Sequence, residues 1–170
     1  LTDTTPDAVF IHKISGEIID VNQTTLKMYG YKREEIYNMN IGEISGENYT
    51  HAKAKVYLNQ ALNWHNPEFE WVAKRKNGEE FPVMIRLRKM HFEDADYILA
   101  MVTDISQSKR TKIQIKQLES YLENIIESMP SSLIGLDASG NITQWNKAAE
   151  HFFNLLHKNV IGIKLTTVLP

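Results

Sequence analysis

The chain has 170 residues, 42% hydrophobic and 24% charged, with a formal net charge of −2 and no cysteine. One domain of about 100–150 residues plus extra chain fits that length, whereas two equal large domains do not. The missing cysteine excludes disulfide scaffolds, thiolate metal sites and cysteine nucleophiles. The near-neutral charge argues against broad contact with a phosphate backbone. No apolar run approaches the roughly 18–20 residues of a membrane span. Residues 1–7 lack an initiator methionine and the basic-then-apolar grammar of a signal peptide, so the sequence reads as a soluble, cytoplasmic piece of a longer protein.

Ala8-Val9-Phe10-Ile11 and Glu17-Ile18-Ile19-Asp20-Val21 are β-favouring runs separated by the turn pair Ser15-Gly16. From residue 23 to 31 the pattern turns helical, with Leu26, Met28 and Tyr29 closely spaced and Asn22 placed to cap the helix start. A short helical turn is predicted over 32–37 and a longer helix over 48–63. The period then drops to two. Strands are predicted over 68–76 and 80–92, joined by Asn77-Gly78, the strongest short hairpin signal. Asp94-Ala95-Asp96 forms a second polar turn before a strand over 97–105. The order β-β-α-α-α-β-β-β is that of an α+β fold, an antiparallel sheet with its helices gathered in the middle.

Residues 106–129 are charged and free of glycine and proline. Ile115, Leu118, Leu122, Ile125 and Met129 fall at alternating steps of three and four, the a/d rhythm of a coiled coil. Isoleucine and leucine at the first a/d pair lean towards a parallel homodimer; the alternative is an amphipathic helix folded back on its own domain. Beyond Pro130 the chain repeats itself at a constant offset of 124 residues. Pro6, Ser15, Gly16, Ile18 and Asn22 recur as Pro130, Ser139, Gly140, Ile142 and Asn146. Conservative matches keep the register: Val9 with Leu133, Met28 with Phe152, Ile36 with Val160, Ile41 with Leu165, Ile44 with Val168. The chain therefore reads as one complete module over 1–106, a linker helix over 107–129, and the N-terminal part of a second copy over 130–170. That copy holds two strands and the first helices but lacks the last three strands of the first, so its sheet is incomplete.

Three segments resemble a PAS sensory domain: Pro6 to Ile11 with Gly16-Glu17-Ile18 and Val21-Asn22; Gly30-Tyr31-Lys32-Arg33-Glu34-Glu35-Ile36; and Arg75-Lys76-Asn77-Gly78-Glu79-Glu80-Phe81-Pro82-Val83. Val102-Thr103-Asp104-Ile105-Ser106 is similar to the D-I-T signature that closes many such domains ahead of an output helix. The family often has glycine where this chain has Asn38 in the first copy and Gly162 in the second; asparagine tolerates positive φ, which makes the departure mild. The resemblance implies a five-stranded antiparallel sheet of order 2-1-5-4-3, helices over one face, and a small cavity between them. It implies a module that binds a ligand or cofactor, dimerises, or relays a signal into a following helix.

A two-residue Asn77-Gly78 turn would place Lys76 opposite Glu79, Val72 opposite Val83, and Glu70 opposite Ile85. With Asp94-Ala95 turning the next hairpin, Leu87 would face Val102 and Lys89 would face Ala100. The row Val72, Val83, Ile85, Leu87, Ala100 and Val102 is then the cavity wall, with Glu70 beside it and Met28, Tyr29 and Tyr57 reaching in from the helices. Phe69, Trp71, Met84, Leu99 and Met101, with Arg86 at the margin, would form an outer apolar face covered by a partner chain or a flanking helix. A one-residue bulge would swap these faces in one strand.

The six histidines, His12, His51, His65, His91, His151 and His157, include no i, i+4 pair for a metal and are expected at the surface. The resemblance makes haem depend on an axial histidine in the long middle helix; His51 stands too early in it, and haem is disfavoured. A flavin forming a cysteine adduct is excluded, a non-covalent flavin is disfavoured but open, and no cofactor is required. No G-x-S-x-G elbow, Gly-rich phosphate loop or supported carboxylate pair is present, so no catalytic residue is assigned. Asp104 is expected to relay signals at the junction of last strand and linker helix, with Lys109 or Arg110 as charged partner, its simpler role being to cap that helix. The expected function is the input region of a bacterial sensor histidine kinase, with an effector beyond this chain. The alternatives are a ligand-free dimerisation scaffold, or the input of a cyclic-dinucleotide enzyme or transcription regulator. The expected partners are a second copy and a small-molecule ligand, not nucleic acid.

Overall fold

The structure, a computed structural model, describes residues 5–47, 51–63 and 65–169, leaving aside the side chains of residues 51 and 52. The chain divides into two compact units, residues 1–109 and 110–170.

The first unit opens with the hairpin of β1 (Ala8–Lys13) and β2 (Ile18–Val21). Asn22 then starts α1 (Gln23–Tyr29): its Oδ1 accepts from the Thr25 N–H at 3.0 Å and from the Val9 N–H at 3.0 Å, so one side chain caps the helix and ties it to β1. Gly30 ends the helix in the left-handed region, where the absence of a Cβ removes the penalty. Two helices follow, α2 (Arg33–Ile36) and α3 (His51–Leu62). The first three positions of the helix expected over 48–63 lie outside the described residues. Three long strands complete the unit: β3 (Glu68–Lys74), β4 (Glu80–Phe92) and β5 (Ala95–Asp104). The sheet is antiparallel, in the order β2-β1-β5-β4-β3, as expected from the sequence. Its core, including Phe10, Tyr29, Ile36, Leu58, Ala61, Phe81 and Ile98, lies between the sheet and the helices.

The register of β3 corrects the predicted faces. The Gly78 N–H donates to the Arg75 carbonyl and the Arg75 N–H to the Glu79 carbonyl, each at 2.9 Å, with Gly78 at φ 87°. The loop is therefore Lys76-Asn77-Gly78, a turn followed by a left-handed glycine bulge, one residue longer than the predicted turn. Trp71 consequently faces Val83, Phe69 faces Ile85, and Ala73 faces Phe81. A one-residue slip inverts every side chain of the strand. Phe69 and Trp71 turn inward, while Glu70 and Val72 turn outward, the reverse of the expectation. In the next hairpin Phe92 pairs with Ala95 around Glu93-Asp94, with Glu93 at φ 53°. That slip is two residues, so Leu87 pairs with Ala100 and Ile85 with Val102, and their common face is kept. The outer face retains Met84, Leu99 and Met101, half-buried, with Arg86 paired to Glu68 at 3.1 Å.

The helix α4 (Ser106–Ser128) follows β5 directly. Ile115, Leu118 and Leu122 are exposed, Met129 just beyond the helix is 38% exposed, and Ile125 is half-buried.

The second unit contains β6 (Ile134–Leu136), β7 (Ile142–Trp145), α5 (Lys147–Phe153), α6 (His157–Val160) and α7 (Leu165–Val168) around a small core of Ile142, Trp145, Ala149 and Val160. The 124-residue offset is visible in its hydrogen bonds. Asn146 Oδ1 accepts from the Leu133 and Ala149 N–H groups at 2.9 and 3.0 Å, as Asn22 does from Val9 and Thr25. The Leu165 N–H donates to Gly140 O at 3.0 Å, as Ile41 does to Gly16 O. Asn154, at φ 53°, ends α5 where Gly30 ends α1. Gly162 takes a positive φ of 80° but Asn38 does not, so the first copy has no need of a glycine there.

Candidate functional site

Between sheet and helices lies a cavity of about 80 Å³. Its sheet wall is Phe10, His12, Phe69, Trp71, Ala73, Ile85, Leu87, Ala100 and Val102; Tyr29, Ile41, Ile44, Ser45, Ala54 and Leu58 close it from the other side. Of the residues predicted for this wall, Ile85, Leu87, Ala100 and Val102 line it. Val83 is buried on the same face without reaching the cavity, Met28 packs against the core from α1, and Tyr57 stacks on Phe69 with ring centroids 3.6 Å apart. Glu70 and Val72 are corrected to the outer face by the bulge described above. The aromatic lining is what the predicted turn concealed. Trp71 stands edge-on to Tyr57 and donates its indole N–H to Ser45 Oγ at 3.1 Å, while the Ser45 hydroxyl donates to the Ile41 carbonyl at 2.9 Å.

His12 corrects a second expectation, for it is 1% exposed rather than at the surface. Its even-numbered neighbours on β1, Ala8 and Phe10, are both buried, but Val9 is buried too and residues 8–11 are all apolar, so no alternation in the sequence marked His12 as inward. Burial pushes its pKa below the ordinary histidine value, partly offset by a hydrogen bond to the Lys13 carbonyl. The side chain of His51, weighed as a haem ligand, lies outside the described residues. An apolar cavity of ~150 Å³ accepts benzene; one of about 80 Å³ has no room for a porphyrin or an isoalloxazine in this side-chain arrangement.

At one end of the cavity, Tyr29 packs edge-on between Phe10 and Phe81. Burial pushes its phenol well above the usual range, and lesser, opposing influences of Arg75 and Asp104 reach it. Arg75 is the hub of this corner. Its guanidinium lies 3.7 Å from the Phe81 ring centroid, donates to the Met28 carbonyl at the end of α1, and pairs with Asp104 at 2.9 Å. The second Asp104 oxygen accepts from the Ser106 N–H, the first of α4, at 2.9 Å. Burial raises the pKa of Asp104, but the bonds from Ser106 and the pairing with Arg75 outweigh it and hold the carboxyl below its usual range. The partners predicted for Asp104 are thus corrected: Lys109 pairs with Glu70 at 2.5 Å and Arg110 is exposed. Arg75 is far from Asp104 in sequence, and only the hairpin brings them together.

A family model described as PAS domain matches residues 6–107, and one described as PAS fold matches residues 120–170. The chain belongs to the PAS domain family. The oxygen sensor protein DosP of Escherichia coli is 26% identical to it over 167 residues, which are 95% of this chain and 20% of that protein. The methyl sulfide methyltransferase-associated sensor of Methanosarcina acetivorans is 26% identical over 126 residues, 74% of this chain and 12% of its own length. Among solved structures, a domain of a sensory box sensor histidine kinase/response regulator from Geobacter sulfurreducens aligns with a TM-score of 0.51 at 22% identity, over 60% of this chain and 86% of that one. The chain spans a fifth or less of the length of these two curated relatives. PAS domains are sensory, non-catalytic modules. Among the described residues of this one, no helix is long and apolar enough to cross a membrane.

Proposed function

We propose that this chain is the sensing and relay part of a larger cytoplasmic signalling protein, with a complete PAS domain over 1–106, a signalling helix over 107–129 and the front of a second PAS domain over 130–170. A small molecule in the apolar cavity biases the start of α4. The observation that carries this reading is the contact chain from the cavity wall through Tyr29 and Arg75 to Asp104 and the Ser106 N–H. Tyr29 touches both the cavity and the corner where Arg75 sits, so a ligand that moves the ring alters the ion pair that holds the first turn of α4. Coupling of 1–3 kcal/mol between sites is the ordinary scale for such relays, within reach of one charge-assisted pair. Catalytic output lies in another part of the protein. The two curated relatives support a sensor, and a histidine kinase is the reading suggested by the name of the sensor-kinase domain with the same fold.

A second reading, a ligand-free dimerisation scaffold, is favoured by the exposed Ile115, Leu118 and Leu122 of α4, a stripe suited to a parallel homodimer. Native mass spectrometry of the purified chain, followed by denaturing analysis of what co-purifies, separates the two. A bound small molecule is expected and supports the sensor. A clean dimer that stays empty across a panel of added small apolar compounds overturns it in favour of the scaffold.

A further inference from the structure

The most unusual group in the cavity wall is an imidazole. His12 follows Phe10 on the inward face of β1, opposite Ile98 of β5. Its Nδ1 lies 2.8 Å from the Lys13 carbonyl oxygen. A carbonyl only accepts, so Nδ1 carries the proton. Burial disfavours the imidazolium, which leaves Nε2 as a bare lone pair at neutral pH. Among the described residues the bond to Lys13 is the one hydrogen bond the His12 side chain makes, yet no fully enclosed side-chain nitrogen or oxygen lacks a partner. His12 is one of the residues lining the cavity, and that is the space we take Nε2 to face. Nearby polar groups are already engaged, the Trp71 N–H on Ser45 and the Ser45 hydroxyl on Ile41. A valine or leucine would line this wall without burying an unmatched acceptor.

We propose that His12 Nε2 is the polar anchor for a small, otherwise apolar ligand that carries one O–H or N–H donor. This inference rests on reading the cavity as a ligand site and adds the chemical class of its occupant. The volume, about half that of an engineered cavity that takes benzene, limits the ligand to a short-chain alcohol or, with a modest shift of neighbouring side chains, a single ring. The apolar wall supplies affinity. The lone pair supplies selectivity, because a ligand without a donor leaves the acceptor unpaired once water is displaced.

Phenol and benzene, which differ by the donor, are the probes, titrated calorimetrically into the 170-residue chain. Phenol is expected to bind at least tenfold more tightly than benzene, and His12→Leu is expected to abolish or reverse that preference. Equal binding of the two probes, or a preference that survives in His12→Leu, overturns the anchor and leaves the cavity as a ligand site. Failure of both probes, and of a short-chain alcohol titrated beside them, to bind overturns the anchor and the ligand site together. Should His12→Leu not fold, the imidazole nitrogen resonances of the unaltered chain decide. Nε2 is expected to shift towards the hydrogen-bonded range with phenol and not with benzene, and an unmoved resonance overturns the proposal.

Discussion

Arg75 joins three parts of the first unit through one guanidinium: the end of α1, the face of Phe81 and the carboxylate at the start of α4. Its pair with Asp104 is partly shielded, with side chains 24% and 29% exposed, so it exceeds the fraction of a kcal/mol typical of surface pairs. Arg75→Met keeps the stem over Phe81 and removes the charge; it is expected to cost about 1.5–3 kcal/mol in urea unfolding and to speed amide exchange in the first turn of α4. His12 gives a pH signature of opposite origin. Its folded pKa lies below the unfolded value of ~6.5, so the unfolded chain binds the proton first. Stability is expected to be full above that value, to decline as pH falls through it, and to level off below the folded pKa. His12→Phe should flatten this decline in a series of denaturant titrations.

At the scale of elements, the β3–β4 hairpin decides what the cavity is made of. Asn77-Gly78 marks the turn correctly in the sequence, but the same dipeptide serves a two-residue turn and a three-residue loop with a glycine bulge. The difference is one residue, and it exchanges a wall of Glu70 and Val72 for one of Phe69 and Trp71. Trp71→Ala is expected to cost 3–5 kcal/mol in chemical unfolding, of order for a buried aromatic, and Val72→Ala about 1 kcal/mol or less. Comparable losses at the two positions would refute the observed register. The next hairpin slipped by two residues, and a slip of two leaves the faces intact because the side-chain period is two. That arithmetic explains why Ile85, Leu87, Ala100 and Val102 were placed correctly from an incorrect pairing.

At the scale of the whole molecule, two units carry the same opening pattern of β-hairpin, asparagine cap and short helices, held by equivalent hydrogen bonds 124 residues apart. The second unit encloses a core of four fully buried residues under a two-stranded sheet. A two-stranded sheet is marginal by itself, which puts weight on the cap. Asn146 Oδ1 serves two backbone N–H groups and its Nδ2 donates to the Ile126 and Ser131 carbonyls, each at 3.0 Å. Asn146→Ala is expected to raise amide exchange across β6, β7 and α5 while leaving the protection of β1 to β5 unchanged. Uniform loss of protection across the chain would show that the two units unfold as one.

Periodicity, capping residues and turn dipeptides by themselves determined the element order, the helix start at Asn22, the two hairpins and the long polar helix. Each of these depends on neighbours within a few positions, and the sheet order followed from the family resemblance they carried. Tertiary structure alone decided three things. It decided which face of β3 looks inward, because a two-residue turn needs positive φ at both Asn77 and Gly78, and here Gly78 takes it while Asn77 does not. It decided that His12 is buried, because helices and loops far along the chain cover β1. It decided that Arg75 is the partner of Asp104, because closure of the sheet brings the hairpin turn beside the last strand. In each case local chemistry permits more than one outcome, and packing between distant segments selects among them.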